Sequence, residues 1–182
     1  AVLSLDYVSI DHRKGKMLEI EPPPLPMKTE VLLRHANGYR ILEMFEDAEL
    51  ELAKISDDEQ MDDGPLTLKI ALFQDSGKWQ DMLEAATVLR DRYPEEADWW
   101  IALAYATRRC LSIEQAREVL LSGMERHPKE PCIQYNLGCY ACVMGERDEA
   151  LARVRSAIEL DSNYSKMAIE DEDLEAIRDE FR

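Results

Sequence analysis

Three cysteines of the sequence lie close enough together to do chemistry. Cys132, Cys139 and Cys142 fall on one stretch with helical periodicity, and Cys139 and Cys142, three residues apart, share a helix face. Thiolates in this arrangement could bind a metal ion or take part in redox reactions. A structural zinc site normally has four ligands, and no second cysteine pair or histidine has suitable spacing. We therefore interpret the cysteines as small apolar packing residues and predict no metal site.

Other patterns typical of enzymes do not occur in the sequence. It contains no nucleophile constellation, no glycine-rich phosphate loop and no HExxH-type metal motif. The carboxylates are too many and too well solvated to single out a catalytic pair. We therefore predict a protein that is not an enzyme and that uses no cofactor.

The chain is strongly acidic, with 22 basic and 38 acidic residues among 182 and a formal net charge of −16. Such a surface repels phosphate backbones, so nucleic acid is not an expected partner. No apolar run approaches the roughly 18 residues of a membrane-spanning helix, and no signal-peptide pattern is visible. Four cysteines without a disulfide framework suit a reducing environment. We expect a cytoplasmic protein without membrane contact.

The elements that must position these residues repeat every 34 residues. Four units, each a predicted pair of helices, follow one another without insertions: 29–62, 63–96, 97–130 and 131–164. In the last unit Gly138 and Ala150 are small enough to let two antiparallel helices approach closely. Gly145 supplies the left-handed backbone that ends the first of these helices. The sequence therefore predicts an array of helical hairpins.

The repeat resembles the tetratricopeptide repeat (TPR) family, of the bacterial type. The closest agreement is in Asn136-Leu137-Gly138 and in the stretch from Gly145 to Ala150, and the unit 97–130 follows the pattern nearly as well. The first two units depart from it, with Glu43 at the usual turn glycine and Lys69 at the usual leucine. The resemblance implies an all-α right-handed superhelix and a function in binding other proteins.

The resemblance also implies that the first helices of successive repeats line a concave groove. The residues that would face it are Asn37, Arg40, Gln74, Ile101, Tyr105, Arg108, Arg109, Tyr135, Cys139 and Cys142. The lysines with which some family members hold a C-terminal carboxylate are replaced by Leu33 and Cys132, so we predict no such clamp. Arginines beside an aromatic floor suit a peptide with apolar anchors and an acidic group. Arg108 and Arg109 could instead merely neutralise the end of their helix.

The two ends of the chain differ from the array. Residues 1–28 combine two β-rich stretches, which predict a hairpin, with a proline-rich linker at 21–26. The linker is either a spacer or a ligand for a groove. Residues 165–182 carry one apolar stripe and are predicted to form one or two short helices that cap the last repeat. Four acidic residues are predicted to lie on the polar side of this cap: Asp171, Glu172, Asp173 and Glu175.

Two functions from different classes remain. The first is a non-enzymatic interaction module, an adaptor, scaffold or chaperone-like protein that holds a peptide of unidentified origin in the groove. The second is a structural module that forms homo-oligomers through residues 1–26. A third, a cysteine-based metal or redox protein, has the least support in the sequence.

Overall fold

The computed structural model describes residues 8–11, 16–19 and 28–182, and from Thr29 onward the chain is a series of helical hairpins. The pairs are α1 (Thr29–Ile41) with α2 (Phe45–Leu52), α3 (Asp63–Ser76) with α4 (Trp79–Arg92), α5 (Ala97–Cys110) with α6 (Ile113–Arg126), and α7 (Pro131–Val143) with α8 (Arg147–Leu160). Each predicted unit thus contains one hairpin, and the all-α solenoid predicted from the sequence is confirmed for the array.

Close helix approach and sharp turns have the predicted causes. A Cβ atom on Gly138 would lie 2.6 Å from Cγ2 of Val154, so α7 and α8 touch where only glycine fits. Gly77 and Gly145 end their helices with φ angles of 72° and 81°, in the left-handed region that glycine adopts without strain. Ser112 starts α6 by accepting a hydrogen bond from the backbone N–H of Gln115 at 3.2 Å.

The structure shows how the first two repeats accommodate the residues that depart from the repeat pattern. Glu43 replaces the turn glycine and has a φ angle of 58°, so this turn keeps the left-handed backbone without a glycine. α2 is only eight residues long, and the connector behind it folds back, with Gln60 donating to the backbone carbonyls of Leu52 and Ile55. Lys69, at a leucine position, reaches the carbonyl oxygen of Gln60 at 3.2 Å. Burial lowers the pKa of Lys69.

The apolar core runs the length of the array. Three clusters of buried side chains follow one another, the first centred on α1 and α2, the second on α3, α4 and α5, and the third on α5 to α9. Phe73 packs against both the first and the second cluster, and Val119 against both the second and the third. Because neighbouring repeats share core residues, each repeat depends on the next for burial.

Of the one or two short helices predicted over 165–182, the C-terminal cap has one. α9 covers only Asn163–Glu170, and two short 3-10 helices follow at Glu172–Leu174 and Arg178–Phe181. Leu174 and Ile177 are fully buried in the third core cluster. The cap thus covers the last repeat, and the part that follows α9 is an irregular strap rather than a helix.

At the other end, β1 (Val8–Asp11) and β2 (Lys16–Glu19) pair antiparallel, with Val8 opposite Glu19 and Asp11 opposite Lys16. The rest of the predicted hairpin, 1–7, 12–15 and 20, and the proline-rich linker at 21–26 lie outside the described residues. Among the described helices, none has both the length and the apolar character needed to cross a membrane.

Candidate binding groove

The candidate site is the surface formed by α1, α3, α5 and α7, the first helices of the four repeats, here called the groove. At its first-repeat end Arg40 donates to Oδ2 of Asp75 at 2.5 Å and to Oδ1 of Asn37 at 3.1 Å. Asn37 and Arg40 therefore lie together at the junction of α1 and α3, where Arg40 already holds a carboxylate of the chain. Gln74 precedes Asp75 in the sequence and is exposed.

Near the middle of the groove, an arginine lies over two aromatic rings. The guanidinium carbon of Arg109 is 5.2 Å from the ring centre of Trp79 and 5.0 Å from that of Tyr105. Arg109 also donates a hydrogen bond to the Tyr105 hydroxyl at 3.1 Å, and the two rings meet edge to face at 5.7 Å. We call Trp79, Tyr105 and Arg109 the aromatic shelf. An arginine stacked in this way keeps most of its N–H donors available for a ligand.

Helical spacing places Tyr105 and Arg109 of the shelf on one face of α5. Ile101, Tyr105 and Arg109 are each four residues apart, so their side chains lie one above another along the helix. Ile101 is partly buried against the third core cluster, whereas Arg109 is exposed. This face of α5 is therefore apolar and partly buried at Ile101, and it is positively charged and exposed at Arg109.

Arg108, the neighbour of Arg109, has a different environment. It donates to both carboxylate oxygens of Asp173, at 2.5 and 2.8 Å, and its guanidinium carbon lies 5.2 Å from the ring centre of Tyr140. The hydrogen bond to Asp173 raises the pKa of Arg108 against the opposing effect of burial. A forked arginine–carboxylate pair is among the strong hydrogen-bonded contacts in proteins.

The three predicted residues of α7 lie beneath the end of the chain. Tyr135 donates from its hydroxyl to Oδ2 of Asp171 at 2.9 Å, and the Cys139 thiol approaches the same oxygen at 3.6 Å. Cys142 lines a shallow opening beside Glu172 and Ala176. Tyr135, Cys139 and Cys142 are all buried. Burial and the nearby Cys139 raise the pKa of Tyr135, so its hydroxyl stays a donor.

One group of side chains in the described part of the chain has the spacing of a metal site. The ligand atoms of Cys139, Asp171 and Asp173 lie within 4.8 Å of one another. Arg108 already neutralises Asp173. Burial and the two carboxylates raise the pKa of Cys139, so the thiol keeps its proton at neutral pH. The group is therefore better suited to its hydrogen bonds than to a cation.

Sequence reasoning missed three residues that contact the side chains of the groove. Trp79 belongs to the second helix of its repeat, and nothing in the pattern shows that its ring meets Arg109. Asp171 and Asp173 were predicted to lie on the polar side of a capping helix, but the 3-10 turn at Glu172–Leu174 points both carboxylates at groove residues. The acidic run from Glu170 to Asp173, followed directly by Leu174, was the one available signal.

Comparison with known proteins shows which solved structures share the fold of this chain. Neither a protein-family model nor a curated protein sequence matches the chain, but 34 chains of solved structures do. TTC0263, a thermophilic TPR protein of Thermus thermophilus, is 19% identical with a TM-score of 0.65, over 84% of each chain. MamA is 17% identical with a TM-score of 0.66, over 84% of this chain and 85% of its own.

A third match concerns binding. YrrB, described as a TPR protein with an unusual peptide-binding site, is 13% identical with a TM-score of 0.59, over 82% of each chain. At these identities the matches establish architecture rather than activity. The chain has the tetratricopeptide-repeat fold, as its 34-residue repeat predicted.

Proposed function

We propose that this protein is a non-enzymatic interaction module, an adaptor, scaffold or chaperone-like protein, that holds a peptide segment in the groove. The observation that carries the proposal is the aromatic shelf. Arg40 and Arg108 each hold a carboxylate of the chain itself. Among the described residues, Arg109 is hydrogen-bonded only to Tyr105 and stacks on two rings. It therefore offers a positioned cation to an incoming carboxylate.

The chemistry of the shelf defines the ligand. A carboxylate can accept two hydrogen bonds from a guanidinium edge, and an apolar side chain can pack beside Tyr105 and Ile101. The expected ligand is therefore a peptide segment with an Asp or Glu next to an apolar or aromatic anchor. Since the chain as a whole carries a net charge of −16, long-range repulsion works against such a ligand, and recognition relies on this local cation.

Two further facts support the proposal. YrrB, which shares the fold, is described as having a peptide-binding site. The four cysteines carry free thiols, as expected for the cytoplasmic setting that forms part of this proposal.

Peptide selection tests the proposal directly. A random 12-residue phage library is selected on the immobilised full chain, and enriched peptides are measured by fluorescence anisotropy. We expect enrichment of an acidic residue beside an apolar one, with binding weakened about tenfold or more by Arg109→Ala or Tyr105→Ala. Arg126→Ala, an exposed arginine at the end of α6, is the matched control and should leave binding unchanged. Failure to enrich any peptide, or equal binding by Arg109→Ala, would contradict the proposal.

A second candidate function is self-assembly through residues 1–26. It is favoured by the β1–β2 pair, because an isolated two-stranded hairpin is marginally stable and gains from pairing with further strands. Light scattering on the full chain and on residues 27–182 tests it. A full chain that is larger than a monomer, with a monomeric truncation, would support assembly, and two monomers would exclude it.

A further inference from the structure

The last twelve residues of the chain lie across the groove that the proposed function assigns to a ligand. We call residues 171–182 the C-terminal strap. Through Asp171 the strap contacts Tyr135 and Cys139 on α7, and through Asp173 it contacts Arg108 on α5. Three residues that the repeat pattern places in the groove are thus already in contact with a segment of the same chain.

The strap is held as a peptide ligand is held. Two acidic side chains, Asp171 and Asp173, meet a tyrosine hydroxyl and an arginine fork. The next residue, Leu174, is fully buried, and Ile177 is 1% exposed. Charged contacts that fix direction, with one or two apolar anchors that exclude water, are the usual elements of peptide recognition in a groove.

The form of the strap also differs from that of the array. Its regular structure consists of two 3-10 helices of three and four residues, which make few internal hydrogen bonds. Most of the side-chain contacts that order it run to other elements, including Arg147, which donates to the Ala176 carbonyl and to Glu180. A segment that depends on its neighbours in this way can leave without unfolding a helix.

We propose that the strap is an intramolecular competitor, and that the groove at α5 and α7 recognises acidic segments of the pattern Asp-x-Asp-Leu. The partner is a protein segment with the same chemistry as residues 171–174, and it binds when it displaces the strap. This inference rests on the proposed function, peptide binding in the groove, and adds to it both a ligand class and a means of regulation.

Tethering explains why the strap would dominate in the isolated protein. A segment joined to its site by a short connection has an effective concentration of the order of millimolar. A free peptide with the same contacts competes only at comparable concentration, unless the strap is weakened. Weakening the strap without altering the groove should therefore raise the affinity for an external copy.

The experiment uses the full chain and a fluorescein-labelled peptide of residues 169–178. Asp173→Lys places a second cation opposite Arg108 and loosens the strap, and it leaves Arg108 and Tyr135 intact. Fluorescence anisotropy should show binding to D173K that is at least about tenfold tighter than to wild type. Adding Arg108→Ala to D173K should abolish the gain, whereas adding Arg126→Ala should not. A peptide with Asn at both aspartate positions should bind neither protein.

The thiol of Cys139 gives a second readout. It lies under Asp171, so its reaction with Ellman's reagent, measured in a Cys110→Ser, Cys132→Ser, Cys142→Ser background, should be faster in D173K than in wild type. Asp173→Asn, which keeps the side-chain shape, replaces D173K if that variant fails to fold. A folded variant that does not bind the peptide, or one whose binding survives the loss of Arg108, overturns the inference.

The outcomes separate this inference from the proposed function. If library peptides bind wild type in an Arg109-dependent manner and the 169–178 peptide does not bind D173K, the groove binds peptides but the strap is only a structural cap. If no library peptide binds either protein, peptide binding in the groove is itself wrong.

Discussion

Arg108 on α5 and Asp173 near the C-terminus, 65 residues apart in sequence, form a forked ion pair with N–O distances of 2.5 and 2.8 Å. The pair ties the end of the chain to the third repeat, although the intervening α9 packs on the fourth. It divides the groove into a part that the chain fills itself and a part, around the aromatic shelf, that stays open. We expect both the stability of the protein and the proposed peptide binding to depend on this division.

The strength of this pair can be measured separately from the rest of the strap. The side chains of Arg108 and Asp173 are 27% and 29% exposed, so solvent screens them only in part. We expect a double-mutant cycle of Arg108→Ala and Asp173→Ala, read by urea denaturation, to give a coupling of about 1 kcal/mol. The more exposed pair Arg147–Glu180, at 51% and 41%, should give a smaller coupling. Equal couplings would contradict the account.

Apolar anchoring of the strap should contribute more than the ion pair. Leu174 is fully buried in the third core cluster, and Leu174→Ala removes its contacts and leaves a cavity. We expect a loss of about 2–5 kcal/mol in the free energy of unfolding, measured by urea denaturation. Leu160→Ala is the control, because Leu160 is 42% exposed. If both variants unfold at the same urea concentration, Leu174 is not an anchor.

Two glycines provide a matched test of the repeat packing. Gly138→Ala would place a Cβ atom 2.6 Å from Cγ2 of Val154, so we expect a loss of about 1–3 kcal/mol in stability. At Gly38 in α1, a Cβ atom would meet nothing within 4 Å. Gly38→Ala should therefore stabilise the protein, by up to about 1 kcal/mol, through helix propensity alone. Thermal or urea unfolding of the two variants should shift in opposite directions, and a shift in the same direction would be inconsistent with the packing described.

Tyr140 makes the stability depend on pH at the alkaline end. Burial raises the pKa of Tyr140 to about 12, above the value of about 10 in an unfolded chain. The folded state therefore holds this proton more tightly. The resulting stability is fully present below about pH 10 and is lost as pH rises toward 12.

Comparison with a phenylalanine variant checks this effect. Urea midpoints of wild type should fall between about pH 9 and pH 11.5, and those of Tyr140→Phe should fall less over the same interval. Absorbance of the phenolate near 295 nm should confirm that a phenol of the wild type titrates late. Identical pH dependence in the two proteins would show that Tyr140 does not carry the effect.

The array was predictable because its local rules repeat. Gly138 and Gly145 each have one structural role, and each role follows from residue type and spacing. The positions of Tyr105 and Arg109 on one face of α5 follow from helical spacing in the same way. A periodic pattern needs no knowledge of distant contacts to place such residues.

The strap was not predictable from the same rules. A helical reading of 165–182 puts Asp171 and Asp173 on the solvent side, but α9 ends at Glu170 and the periodicity ends with it. The direction of the two carboxylates is then set by Arg108 and Tyr135, which are distant in sequence. The role of Trp79 was not predictable for the same reason, because its ring contacts Arg109 of the next repeat.

The most direct test of the central claim, peptide binding at the aromatic shelf, is the indole N–H signal of Trp79 in a two-dimensional ¹H–¹⁵N NMR spectrum of the full chain. Only three tryptophans are present, and Trp79→Phe identifies the signal by its loss. On titration with a library-selected peptide, we expect a saturable shift of the Trp79 signal that Arg109→Ala removes. The signal of Trp100, which is 7% exposed and donates to the Pro94 carbonyl, should stay in place. A peptide that binds and leaves the Trp79 signal unmoved would contradict the account.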